Sequence, residues 1–195
     1  MDFSSLYGIA SNKSLLRYIL RLLRHTPEVA GLLMDADGWV EKSQLLMAIQ
    51  CARADCLNWG LNNLDSFLSQ HNECQGFSWD DTRCRANYGH STVHYQPQNL
   101  TQLPALLFHG TCRSKLQEIC RAGLLPMGRL HVQLTASQDY ALSVANQHER
   151  PVVLSVVSGR HAAGLCGYPT GSHVWLCNDV PPPCISSCLF LPQYG

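Results

Sequence analysis

An α+β fold in two lobes is predicted by three features of the sequence. Residues 1–95 carry helical periodicities closed by one short strand pair. Residues 96–104 are polar and bracketed by prolines. Residues 105–195 are richer in short apolar runs of strand length. We therefore expect a first lobe over 1–95, a linker over 96–104 and a second lobe over 105–195. A chain of 195 residues, 46% hydrophobic, can bury a core in each.

The first helix is expected from Asn12 to His25. Leu15, Leu16, Ile19, Leu20, Leu22 and Leu23 share one side of its wheel, and Lys13, Arg17, Arg21 and Arg24 the other. That cationic face has no interleaved acid, which makes it an anion-binding surface rather than a salt-bridged one. Pro27 ends the helix. Asp35-Ala36-Asp37-Gly38 is a turn leading into Trp39-Val40. Ser43 is a candidate cap for a helix reaching Ala52, and Asn62 or Asn63 for one that aligns Leu64, Phe67 and Leu68. Phe77-Ser78-Trp79 and Arg83-Cys84-Arg85 flank Asp80-Asp81 as a hairpin. Helices followed by a hairpin suggest a small winged-helix-like module.

In the second lobe, Leu106-Leu107-Phe108 is a strand. A helix runs from Ser114 to Arg121 and stops at Gly123. His131 to Leu134 is a short strand, and Ser137 can cap a helix through Gln147. Val152 to Val157 and His173 to Leu176 complete the strands. No strand–Gly-rich-loop–helix fingerprint occurs, so a Rossmann fold is not expected.

Composition excludes several functions. The formal net charge is zero, so any nucleic-acid contact must come from a local patch. No run of about 18 apolar residues occurs, so no membrane span is expected. The first dozen residues lack the pattern of a secretory signal, so a reduced, cytoplasmic chain is expected. None of the ten cysteines forms a C-x-x-C, so they are read as small apolar residues rather than a zinc site. What stands out instead is three separated segments. They are Leu23-Arg24-His25-Thr26-Pro27, Arg85-Ala86-Asn87-Tyr88-Gly89-His90-Ser91, and His109-Gly110-Thr111 with Met127-Gly128-Arg129-Leu130-His131-Val132. Each pairs cations or imidazoles with small residues and contains no acid. Arginine's planar fork fits phosphate oxygens and cannot lose its charge. Histidine is the side chain that moves protons near pH 7.

Those segments resemble the RNA 2'-phosphotransferases of the Tpt1/KptA family, from about Lys13 to Ile185. The family's leucine-rich helix ending in L-R-H is similar to Leu23-Arg24-His25. Its A-G-L and D-x-x-G-W-V match Ala30-Gly31-Leu32 and Asp35 to Val40. Its I-R-A-N-Q-G-H-S is here Cys84 to Ser91, and its H-G-T is His109-Gly110-Thr111. Its M-x-R-x-H-V-H-L-S is Met127 to Thr135, and its V-W-L…V-P-P is Val174-Trp175-Leu176 with Val180-Pro181-Pro182.

The resemblance implies a winged-helix-like lobe holding RNA phosphate and an ADP-ribosyltransferase-like lobe holding NAD. It implies a metal-free reaction in two steps. An internal RNA 2'-phosphate displaces nicotinamide from NAD, and a ribose hydroxyl of the attached ADP-ribose then attacks the phosphorus. The products are RNA with a 2'-OH, nicotinamide and ADP-ribose 1'',2''-cyclic phosphate. Arg24, His25 and Arg129 are the implied catalytic residues. Arg17, Arg21, Arg83, Arg85 and His90 are candidates for phosphate or RNA contact. His109, Gly110 and Thr111, with His131 and Gln133, and Thr170, Ser172 and Val174, are candidates for NAD contact, Gly110 by letting the dinucleotide come close. The expected partners are a tRNA-like RNA bearing a 2'-phosphate and NAD, acting on a monomer.

Two departures matter. The family's K-Q-R-F reads Cys74-Gln75-Gly76-Phe77 here, so one clamping arginine is absent. A lost charged hydrogen bond costs about 1.5–3 kcal/mol, which predicts a slow enzyme rather than a dead one. Arg83 is the candidate to replace it. The second His of H-V-H-L-S is Gln133, and glutamine stacks poorly on a nicotinamide ring. The alternatives are a transferase that stops with ADP-ribose on a nucleic-acid phosphate or a protein, and a non-catalytic NAD- or RNA-binding relative.

Overall fold

The computed structural model describes residues 4–72, 76–92, 95–161, 164–170 and 173–190, with side chains from residue 12 onward. The chain divides into two compact units, Met1–Gln96 and Pro97–Gly195. Both mix helix and antiparallel sheet, giving an α+β fold.

The first unit contains helices α1 (Ser4–Arg24), α2 (Lys42–Ala52) and α3 (Leu61–Gln70). Its strands are β1 (Val40–Glu41), β2 (Phe77–Trp79) and β3 (Arg83–Ala86). The expected hairpin forms, with Trp79 opposite Cys84 and Phe77 opposite Ala86. The sequence pattern did not show that β1 would add on the far side of β3, giving the order β1-β3-β2. Leu15, Ile19, Leu22 and Leu23 of α1 are buried with Leu45, Ile49, Leu64, Leu68, Phe77 and Cys84. Each fully buried leucine or isoleucine contributes about 1.5–3 kcal/mol.

In the first unit, three elements start differently from expectation. α1 begins at Ser4 rather than Asn12. Gly8 and the flanking serines hide the apolar repeat there but do not break the backbone. α2 begins at Lys42, ahead of the expected Ser43 cap. The sheet supplies its first partner instead, since the Lys42 N–H donates to the Thr82 carbonyl at 2.8 Å. Gly60, not an asparagine, caps α3, and the Asn63 Oδ1 accepts its N–H at 2.9 Å.

Lys42 is only 2% exposed, and its Nζ donates to both Asp65 oxygens at 2.9 and 3.0 Å, tying α2 to α3. Removing one member of a buried pair strands the other's charge. Asp65→Ala is expected to lower the unfolding free energy by about 3 kcal/mol, read as a shift of the urea midpoint at unchanged slope.

Among the described residues, the second unit is a seven-stranded antiparallel sheet crossed by two short helices. Its strands are β4 (Thr101–Gln102), β5 (Leu106–Cys112), β6 (Val132–Thr135), β7 (Pro151–Val157), β8 (Cys166–Pro169), β9 (Val174–Cys177) and β10 (Ile185–Phe190), in the order β10-β7-β5-β6-β9-β8-β4. β4 falls inside the stretch expected as linker and pairs with Gly167 and Cys166. Alternation along β7 separates two cores. Val152, Leu154 and Val156 join Leu107, Ile119 and Val132 on the face of α4 (Leu116–Ala122). Val153 faces Ala141 and Ala145 of α5 (Gln138–Ala145). α4 stops at Gly123 as expected, and the Ser137 Oγ accepts the Tyr140 N–H at 3.1 Å to start α5, which ends at Ala145 rather than Gln147.

The cysteines divide. Cys56, Cys84, Cys177 and Cys184 are buried free thiols, and burial pushes Cys84 and Cys177 up to about 12, so they behave as apolar fillers. Cys51, Cys120, Cys166 and Cys188 are exposed and do not fit that reading. Cys74 lies outside the described residues. Among the described residues, no helix is long and apolar enough to cross a membrane.

Candidate functional site

The last turn of α1 builds the first cluster. Arg17 and Arg21 are exposed on its polar face, and Arg24 and His25 follow where the helix ends. The chain returns to this end after β3. The Ser91 N–H donates to the Arg24 carbonyl at 2.9 Å, satisfying a terminal helix acceptor. The His25 Nδ1 lies 2.8 Å from the Ser91 Oγ. The Arg24 guanidinium carbon sits 5.1 Å from the centre of the Tyr88 ring. Gly89 has φ 91°, and a Cβ there would come within 3.1–3.2 Å of the Arg24 Cδ, Nε and Nη1. Glycine is needed for both the turn and the arginine's passage.

Gly76 borders the same arginine. A Cβ on it would lie 3.4 Å from the Tyr88 Oη and 3.8 Å from the Arg24 Nη2. Its neighbours Cys74 and Gln75 lie outside the described residues.

Three of the candidate phosphate contacts sit elsewhere in this unit. The Arg83 Nη2 donates to the Asp80 Oδ2 at 3.1 Å, and its guanidinium lies over Trp39 at 5.0 Å. The N–H groups of Arg83 and Thr82 hold the Asp80 carboxyl low, at about 2, so this partner stays ionised. Arg85 lies over the same indole at 4.7 Å and donates to the Asp37 carbonyl at 3.1 Å. His90 is 3% exposed and stacked on Tyr95 with ring centres 3.8 Å apart. It packs under the turn at Gly38.

The second unit carries a cavity of about 340 Å³ between β5, β6 and α5. His109, Thr111, Gln133, Tyr140 and Val174 line it, with Arg129 at its edge. The His109 Nδ1 lies 2.9 Å from the Gln133 backbone oxygen. A carbonyl only accepts, so Nδ1 carries the proton and Nε2 keeps its lone pair. Burial pushes the His109 pKa below 6.5, which keeps the ring neutral. Arg129 Nη1 donates to the Gln133 Oε1 at 2.9 Å. One residue therefore fixes both His109, through its backbone, and Arg129, through its side chain. Reading Gln133 only as a poor stacking partner missed this. The spacing of Arg129 and Gln133, four positions apart and spanning the turn into β6, was the available signal.

The remaining candidates divide as follows. Thr170 Oγ1 donates to the Val174 carbonyl at 2.8 Å, which holds the start of β9. Val174 is buried and its side chain lines the cavity. His131 packs edge-on against Tyr168 at 5.6 Å. Ser172 lies outside the described residues. Gly110 lines the cavity, and a Cβ there would overlap the Ala141 carbonyl and come within 2.8 Å of the Ala145 nitrogen. Helix α5 takes the space on that side. Among the described residues, no group of three or more His, Cys, Asp and Glu side chains could hold a metal ion.

The His109 shift makes a pH prediction. Its folded pKa lies below the unfolded 6.5, so the unfolded chain takes the proton first as pH falls. This term is absent well above pH 6.5 and destabilises the fold below it. Urea titrations from pH 7.5 to 5 are expected to show a steeper loss for the wild type than for His109→Gln.

The geometry defines a class: an α+β protein with an arginine–histidine cluster in one unit and a histidine-lined cavity in the other. The family described as RNA 2'-phosphotransferase, Tpt1 / KptA family, matches residues 10–179. The "Probable RNA 2'-phosphotransferase" of Trichormus variabilis is 36% identical over 175 residues, covering 85% of this chain and 91% of that protein. Those so named from Pseudomonas savastanoi pv. phaseolicola and Acaryochloris marina are 37% and 36% identical. They cover 82% and 87% of this chain and 85% and 93% of their own lengths. The chain belongs to the RNA 2'-phosphotransferase, Tpt1/KptA family, and membership makes it a transferase.

Proposed function

We propose that this protein is an NAD-dependent RNA 2'-phosphotransferase. It transfers an internal RNA 2'-phosphate onto ADP-ribose, releasing nicotinamide and ADP-ribose 1'',2''-cyclic phosphate. The observation that carries the reading is the Arg24–His25 pair, set against the Tyr88 ring, Gly89 and the Ser91 hydroxyl. Such a pair supplies a fixed positive charge for phosphate oxygens and an imidazole for proton movement.

The donor set in the second unit suits a nicotinamide dinucleotide. The cavity is within the range of small-molecule sites. Neutral His109 offers Nε2 to a ribose hydroxyl, and buried Thr111 and Val174 exclude water beside it. Arg129, held by Gln133, presents a fixed positive charge in the same cavity. NAD supplies the electrophilic ribose carbon and the leaving nicotinamide. The winged-helix-like and ADP-ribosyltransferase-like descriptions of the two lobes, the monomeric state and the cytoplasmic setting belong to the same proposal.

The test is incubation with NAD and a short RNA bearing one internal 2'-phosphate. Formation of 2'-OH RNA with the cyclic phosphate supports the reading. Accumulated ADP-ribosylated RNA would replace it with a transferase that stops halfway. No consumption of NAD would leave only binding.

A further inference from the structure

Four of the chain's 14 lysines and arginines, Lys13, Arg17, Arg21 and Arg24, fall on one stretch of α1, and none of its 14 acids does. At 3.6 residues per turn these positions lie within an arc of about 80°. Lys13, Arg17 and Arg21 are exposed. The Arg17 Nε donates to the Lys13 carbonyl at 3.3 Å, which lays that side chain along the helix. The helix dipole accounts for cations in the last turn only. Because α1 begins at Ser4, Lys13 and Arg17 sit in its interior, ahead of that turn. Packing does not account for them either, since Leu15, Ile19, Leu22 and Leu23 are what α1 puts into the core. The same burial excludes a helix lying in a lipid surface, which would need its apolar side free.

The stripe leads to the Arg24–His25 pair. A rise of 1.5 Å per residue places Arg21 about 4.5 Å, Arg17 about 10 Å and Lys13 about 16 Å from Arg24 along the axis. A stacked strand advances about 3.4 Å per phosphate, so the stripe matches about five nucleotides. We infer that Lys13, Arg17 and Arg21 form a track for the backbone phosphates of a single RNA strand, on one side of the nucleotide held at Arg24 and His25. The inference rests on the proposed function in taking that strand to be the RNA that carries the 2'-phosphate. Backbone contacts fix the position of a strand and add affinity without reading its sequence.

The test is fluorescence anisotropy over a range of NaCl concentrations, with two 2'-phosphorylated RNAs. One is a dinucleotide, and the other has about ten nucleotides with the 2'-phosphate at its centre. The wild type is expected to bind the longer RNA more tightly and with a steeper salt dependence. Arg17→Gln/Arg21→Gln is expected to lower the slope of log K against log salt by about 1.4, at 0.7 per neutralised phosphate of a single strand, and to remove most of the advantage of length. Arg17→Lys/Arg21→Lys keeps both effects, because a point charge suffices for a backbone phosphate. Melting temperatures control for folding. If the paired glutamine variant fails to fold, each single replacement carries the same reading at about 0.7. An unchanged slope in the glutamine variants overturns the track. So does an equal loss on the dinucleotide, which would put these arginines at the 2'-phosphate itself, and so does competition by polyglutamate as effective as by RNA. A wild type that shows the length and salt effects but does not distinguish a 2'-phosphate from a 2'-OH overturns the proposed function and leaves the track standing.

Discussion

Arg24→Ala is expected to lower turnover of a 2'-phosphorylated RNA by about 10²–10³-fold, the usual cost of removing one preorganised charge-stabilising group. Arg24 sits where the helix ends, its guanidinium lies on the Tyr88 ring, and its backbone carbonyl accepts the Ser91 N–H. Alanine keeps the backbone contact and so keeps the Ser91 loop docked. The loss therefore falls on chemistry more than on folding. Arg24→Lys is expected to recover only part of it, since an ammonium cannot present a planar fork to two phosphate oxygens. Single-turnover rates with saturating RNA check this, with a thermal melt as control. A rate within threefold of wild type would place the phosphate elsewhere.

Gly76 lies in the same cluster and borders Arg24, so an arginine at position 76 would add a second cation beside it. Arg83 does not fill the gap in the described arrangement, because Asp80 and Trp39 hold it. Arg83→Ala is therefore expected to change turnover less than Arg24→Ala does.

How much was legible follows from where each signal lies. The amphipathic stripe of α1 and the Phe77–Arg85 hairpin were readable because apolar period and turn residues are properties of adjacent positions. Arg24, His25 and the His109 segment stood out as candidates because each sets cations or imidazoles beside small residues with no acid between them. What could not be read is pairing across distance. Glu41 and Val40 joining β3, Lys42 buried against Asp65, and Thr82 supplying the first acceptor for α2 all depend on segments brought together by folding. The stacking of His90 on Tyr95, five residues on, was likewise not legible. Gln133 looked like a loss because its side chain was weighed against a ring and not against Arg129.

Gly110 shows the same limit in the opposite direction, and it carries the largest effect expected on stability. Beside a histidine and a threonine in a cofactor-like segment, a glycine reads as room for a ligand. In the sheet, Gly110 lies on central strand β5 opposite Val153, and α5 crosses directly over it. A methyl there would overlap the Ala141 carbonyl oxygen and stand 2.8 Å from the Ala145 nitrogen. Both are backbone atoms, so no rotamer change relieves the overlap. α5 would have to lift from the sheet, opening the small core of Ala141, Ala145 and Val153 and moving the wall of the cavity beside Tyr140. Gly110→Ala is therefore expected to cost about 3 kcal/mol, the upper end for forced overpacking, and Gly110→Val more. Urea unfolding measures it. NAD affinity is expected to fall in the same variant because α5 forms one side of the cavity, so ligand and stability would be lost together. A variant that lost affinity at full stability would instead mean that the dinucleotide, and not the helix, presses on this glycine.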